Sequence, residues 1–127
     1  MACRRNGTRE NVMKYVLLIY GNEREWQGLP ESETGQRLAA YRAYTEALMK
    51  AGALVAGDRL QHSHTATTVR SEGGKTNVLN GPYAESREQL GGYYLIEAPD
   101  LDAALSWAAR CPGASHGAVE VRPVWAM

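Results

Sequence analysis

Two short runs set the frame of this chain: KYVLLIY over residues 14–20 and GYYLIE over residues 92–97. The first is apolar and β-prone almost throughout. Such a run fits a central strand, or one covered on both faces. The second alternates, with Tyr94 and Ile96 on one face and Tyr93, Leu95 and Glu97 on the other. Both strands are apolar on two sides, so a sheet built on them needs cover above and below.

Between these runs the period changes. From about residue 31 to 51, Leu38, Tyr41, Thr45, Leu48 and Gly52 follow the 3-4 spacing of one helical face. Glu31 and Glu33 suit the helix N-terminus, Lys50 suits the C-terminus, and Gly52 reads as the residue just past the end. Tyr41 and Tyr44 read as core aromatics; a hydroxyl turned into a cavity is the alternative. Before this helix, residues 22–32 read as a polar loop, with Trp26 a lid over the core edge or, less often, a ligand contact. After it, residues 53–61 form a strand in which Gly57 marks a bulge or a close approach. Asp58 and Arg59 are adjacent in that strand, so simple alternation keeps them from lining one pocket together. His62 and His64 have no third metal ligand nearby and read as exposed loop histidines.

Residues 66–70 and 76–79 are the arms of a hairpin, with SEGGK as its turn. Asp100 is a natural N-cap for a second helix over 101–110, whose packing stripe is Leu101, Ala104, Leu105 and Ala108. Pro112-Gly113 ends it, and a last strand spans 118–125, with Pro123 at an edge or a sheet exit. The order is β-α-β, hairpin, β-α-β. This predicts an α+β class and a ferredoxin-like antiparallel sheet with its helices on one face.

At 127 residues the chain is one domain over 13–127, preceded by a polar, flexible tail over 1–12. Fourteen basic residues balance fourteen acidic ones. That excludes a general electrostatic claim on nucleic acid or an anionic membrane. No apolar run reaches the roughly 18 residues of a membrane span. Cys3 and Cys111 show no zinc or disulfide spacing, which points to a reducing cytoplasm.

The stretch NGPYAESREQLGGYYLI, from Asn80 to Ile96, carries the most unusual mixture. It joins the Gly81-Pro82 turn, the charges Glu85, Arg87 and Glu88, the pair Gly91-Gly92 and two tyrosines. It reads either as an ordered loop held by local ion pairs or as the rim of a site. This run resembles the signature of the YCII-related family, in its DGPF-domain branch: Asp-Gly-Pro-Phe, Ala-Glu, a basic residue, Glu, then Gly-Gly before a strand. Asn80 replaces the Asp and Tyr83 the Phe. MKYVLLIYG from Met13 and WAARCPGASHGAVEVRPVW from Trp107 resemble the family's opening and closing segments, which makes Met13 the expected natural start.

The resemblance implies a dimeric α/β barrel, two sheets face to face in a homodimer. It also implies relatives that act on lactones, hydroquinones and similar breakdown products, with a His-Asp pair and dehydrochlorinase-type elimination among their chemistry. It associates the branch with extracytoplasmic-function sigma factors, hence with a regulatory protein partner.

No Ser-His-Asp order, metal signature, phosphate loop or dinucleotide fingerprint is present. His116, between a helix-ending Pro-Gly and a strand, is the candidate general acid or base. With Asn80 in the family's Asp position, the acid/base role passes to Glu85 or His116. Glu85, Glu88 and Asp58 are candidates to orient the histidine. Arg87 or Arg122 would hold a carboxylate or enolate. Tyr83, Tyr94 and Tyr41 would stack on a small ring or hydrogen-bond to it. The competing role for His116 is to cap helix carbonyls near Arg110. The expected function is binding of a small anionic or aromatic metabolite, with proton transfer or elimination and no organic cofactor. The alternative is a non-catalytic interaction or sensing module.

Overall fold

A computed structural model describes residues 12–126. Its elements run β1 (Met13–Gly21), α1 (Glu23–Gln27), α2 (Glu31–Lys50), β2 (Leu54–Arg59), β3 (Thr67–Glu72), β4 (Lys75–Asn80), β5 (Gln89–Ala98), α3 (Leu101–Arg110), α4 (Gly113–His116) and β6 (Gly117–Pro123). The tail expected over 1–12 lies, up to residue 11, outside the described residues.

The four-stranded sheet has the order β2-β5-β1-β6, every neighbour antiparallel. That is the ferredoxin-like order, with the two apolar strands β1 and β5 in the middle, as their composition requires. β3 and β4 pair only with each other, from Thr67↔Asn80 to Glu72↔Lys75. Gly73 and Gly74 take the turn at φ 56° and 81°, where an L side chain would be strained.

Alternation along β1 and β5 decides the core. Tyr15 and Leu17 pair across to Ile96 and Tyr94, and all four are buried under Tyr44 and Leu48 of α2 and Ala104 and Ala108 of α3. The Tyr44 hydroxyl donates to the Trp107 carbonyl at 2.6 Å. Its ring meets Tyr94 edge-on at 5.4 Å. Tyr44 is thus a core aromatic. The stripe expected on α3 is rotated. Leu101 and Leu105 are 48% and 46% exposed, while Ala104 and Ala108 make the contact. Small residues there let the helix lie close, and Trp107 packs against the core in place of the leucines.

Both long helices pack on this face. The opposite face carries Val16, Leu18 and Tyr20 of β1 and Tyr93 and Leu95 of β5, all only half-buried. Two short helices replace expected loops. Asn22 caps α1, its Oδ1 accepting from the backbone N–H groups of Arg24 and Glu25. α4 is a single turn between Pro112 and β6. No helix among the described residues is long and apolar enough to cross a membrane.

Candidate active site

A cleft of about 590 Å³ opens where α2 crosses the end of the sheet. Its walls are the end of β1, α1, the middle of α2, the end of β2, the start of β5, and α4. Glycines make the room. A Cβ on Gly57 would lie 2.7 Å from the Tyr94 ring, and one on Gly92 2.9 Å from the Asp58 carbonyl oxygen. The Gly91-Gly92 pair lies inside β5 beside a register shift against β1, so it brings backbones together at the cleft rather than hinging a loop.

The inner wall is phenolic. Thr45 donates its one hydroxyl proton to the Tyr41 carbonyl at 2.9 Å. The Tyr94 hydroxyl, 2.7 Å from Thr45 Oγ1, therefore acts as donor to it. Tyr41 also lines the cleft, and its own hydroxyl has no partner among the described residues. Burial pushes the Tyr41 phenol well above its usual range, and the neighbouring Cys111 and Tyr94 add to this. Arg37 and Arg59 pull the other way. Burial likewise raises the Tyr94 phenol and the Cys111 thiol, so neither offers an anion near neutrality.

The outer wall is cationic and aromatic. Trp26 of α1 lies under two guanidinium groups, Arg37 at 5.2 Å and Arg59 at 5.5 Å from the ring centre. Arg37 is only 10% exposed and reaches the Glu25 carboxylate at 3.1 Å. Its Nε and Nη1 are buried without a partner. Glu23 fixes the mouth, accepting from the Ser63 backbone N–H at 2.6 Å and from its hydroxyl at 2.7 Å. Asp58 accepts from Tyr93 Oη at 2.8 Å, and that hydrogen bond, then the carboxylate charge, hold the phenol protonated. Arg42 and Arg59 line the cleft and form no ion pair among the described residues. His116 lines it from α4, its ring exposed and without a hydrogen-bond partner among the described residues. The carbonyl-capping role is not formed. Arg110 lies instead over the Trp107 ring at 4.4 Å.

Four of the expected site residues, Tyr41, Asp58, Tyr94 and His116, thus line one cleft, although Asp58 bonds Tyr93 rather than His116. Arg87 and Glu88 line a shallow groove with Tyr20, Ser86, Ala118 and Glu120. Tyr83 and Glu85 lie on the exposed loop and line neither; Arg70 sits over the Tyr83 ring at 5.1 Å. Arg122 pairs with Glu120. The local ion pairs expected among Glu85, Arg87 and Glu88 are not formed. Instead, Ser86 donates to the Glu88 carbonyl and Gln89 to the Ser86 carbonyl. Asp58 and Arg59 both line the cleft, against the alternation argument, because the cavity wraps the end of the edge strand β2. The Gln27 amide donates to His62 Nδ1 at 3.2 Å. No group of three or more metal-ligating side chains occurs among the described residues.

Arg42 and Arg59 are not among the expected site residues; for Trp26, in the polar stretch 22–32, a ligand contact is the lesser of two expectations, and the structure puts it on the cleft wall. A sequence model of the YCII-related domain matches residues 13–127. Over 114 residues the chain is 36% identical to an uncharacterised protein of Rhizobium meliloti, covering 88% of this chain and 92% of that protein.

Proposed function

The chain belongs to the family of YCII-related domains, and from that premise we propose that its cleft binds a small anionic or aromatic metabolite, on which His116 moves a proton without an organic cofactor. One observation carries this reading. The same cleft presents ring faces, two arginines free of carboxylate partners among the described residues, and an unpartnered histidine. Arg42 and Arg59 suit a carboxylate, since guanidinium matches its geometry. Trp26 offers a face for a planar ring. Histidine accepts and returns a proton near neutral pH.

Thermal shift with small aromatic acids and lactones tests this. A ligand at a hundred times its Kd stabilises the fold by about 2.7 kcal/mol. His116→Ala is expected to keep the melting temperature and to bind a stabilising ligand within a few-fold. It is expected to lose exchange of that ligand's acidic C–H with deuterated solvent by about 100-fold or more. Exchange at the wild-type rate would remove His116 from the role.

The half-buried apolar face of the sheet supports a homodimer paired through it, as in a dimeric α/β barrel. Leu18→Glu is expected to yield a monomer in sedimentation, and a wild type that sediments as a monomer contradicts the pairing. A reducing, cytoplasmic setting fits the free, buried Cys111. A second reading, an interaction module with a regulatory protein partner, draws on the exposed Val69, Val78 and Leu79 of the hairpin. It predicts no stabilising small ligand.

A further inference from the structure

We infer that Tyr41 donates a hydrogen bond to an anionic or carbonyl oxygen of the bound molecule, so that the cleft selects ligands carrying a ketone, lactone, enolate or phenolate oxygen. This rests on the reading of the cleft as a ligand site and narrows it.

Tyr41 and Tyr94 line the inner wall, Tyr44 belongs to the core beside Tyr94, and two of these three hydroxyls are spent. Tyr44 serves the Trp107 carbonyl at 2.6 Å. Tyr94 serves Thr45 at 2.7 Å, and Thr45 in turn serves the Tyr41 carbonyl. Of these three only Tyr41 keeps a hydroxyl without an acceptor among the described residues; Tyr20, also on the cleft lining, has none either, but it stands with Val16 and Leu18 on the other alternation of β1. Its place is set by Gly113. A Cβ at that position would stand 2.7 Å from the Tyr41 hydroxyl and 2.6 Å from Ile19 Cγ2. The glycine therefore leaves the hydroxyl its room. His116 lies three residues on in the same single turn, which places it over the same side of α4.

The cleft lining carries both signs, Arg42 and Arg59 against Glu23, Glu46 and Asp58, but the ionised side chains that reach the Tyr41 hydroxyl are cationic. Arg37 and Arg59 both act on the Tyr41 phenol from nearby. Arg37 pairs through Nη2 with Glu25 at 3.1 Å and Glu33 at 3.9 Å, and its Nε and Nη1 are buried without partners, which leaves those donors unused. Burial keeps the phenol protonated, hence a donor. The chemistry follows. His116 takes a proton from the carbon beside a carbonyl. The C–H electron pair moves into the C–C bond, and the carbonyl π pair goes to oxygen. Tyr41 holds that oxyanion. Where the substrate carries a β,γ C=C, the electrons return through the dienolate as His116 delivers the proton to the γ-carbon; the carbonyl re-forms and the double bond moves to the α,β position, which completes an isomerisation.

The probe is 4-nitrophenol, whose phenolate is read by visible absorbance, with 4-nitroanisole as a partner lacking the oxyanion and benzoate as a carboxylate control. Wild type is expected to bind the phenolate at least about tenfold more tightly than the anisole. Tyr41→Phe should weaken the phenolate by about tenfold or more, a typical loss for a hydrogen bond to a charged group, and leave benzoate within about twofold. Tyr83→Phe should hold phenolate affinity within about twofold, since that ring lies on the exposed loop and lines no part of the cleft. Equal phenolate affinity in wild type and Tyr41→Phe overturns the inference and leaves the cleft reading standing. So does a wild type that binds benzoate but does not prefer the phenolate to the anisole, a comparison that needs no variant to fold. A wild type that binds neither benzoate nor phenolate overturns both.

Discussion

Gly117→Ala is expected to destabilise the protein by about 3 kcal/mol or more, enough to unfold a marginal domain. The reason is backbone meeting backbone. Gly117 pairs with Gly21 in the β1–β6 ladder. A Cβ there would stand 2.0 Å from the Tyr20 carbonyl oxygen and 3.0 Å from the Gly21 Cα. No rotamer change relieves such a contact, so the strands must part. They would part at the end that carries Gly21 and His116, both on the cleft wall. A urea midpoint unchanged from wild type would contradict the Gly21–Gly117 register.

Ile96→Ala is expected to cost about 2 to 5 kcal/mol and to lower Tm by roughly 10 °C or more. Ile96 is fully buried, near the C-terminal end of β5, between the side chains that β1 and the helices send inward. Removing its outer carbons leaves a cavity that the surrounding β-sheet and aromatic rings cannot close. Leu79→Ala is the matched control. Leu79 is 58% exposed on the hairpin, and its truncation should stay within about 0.5 kcal/mol. Equal losses at the two positions would show that the core lies elsewhere.

The fold was largely legible because its signals are local. The apolar runs gave the central strands. The 3-4 spacing over Leu38 to Leu48 gave α2, and Gly52, at φ 70°, closes it as its position predicted. α1 went unread because five residues are too few to show a period, although Asn22 and Gly28 carry ordinary capping chemistry. The stripe on α3 was misplaced because leucine outranks alanine in any hydrophobic pattern. How closely two elements approach is set by the smaller side chain.

The cleft was only partly legible. Tyr41, Tyr94 and His116 each stand out by side-chain chemistry alone. Nothing in their spacing says that α2, β5 and α4 bring them together. The charged stretch before Gly91 drew attention by composition, yet the cleft takes from this segment only its strand end, Gln89 to Tyr94. Arg59 lay hidden by the alternation rule, which holds inside a sheet and fails where a cavity wraps the end of an edge strand. Gly57 and Gly113 make room whose purpose depends on partners far away in sequence, Tyr94 and Tyr41.

The most direct measurement is an amide ¹H–¹⁵N titration of the wild type with benzoate and 4-nitrophenolate. Binding in the cleft predicts shifts confined to Glu23–Trp26, Leu38–Glu46, Gly57–His62, Gly91–Tyr94 and Gly113–Gly117, with the Val16, Leu18 and Leu95 amides unmoved. Shifts on the open sheet face instead, or none at saturating ligand, would contradict the claim that this cleft is the binding site.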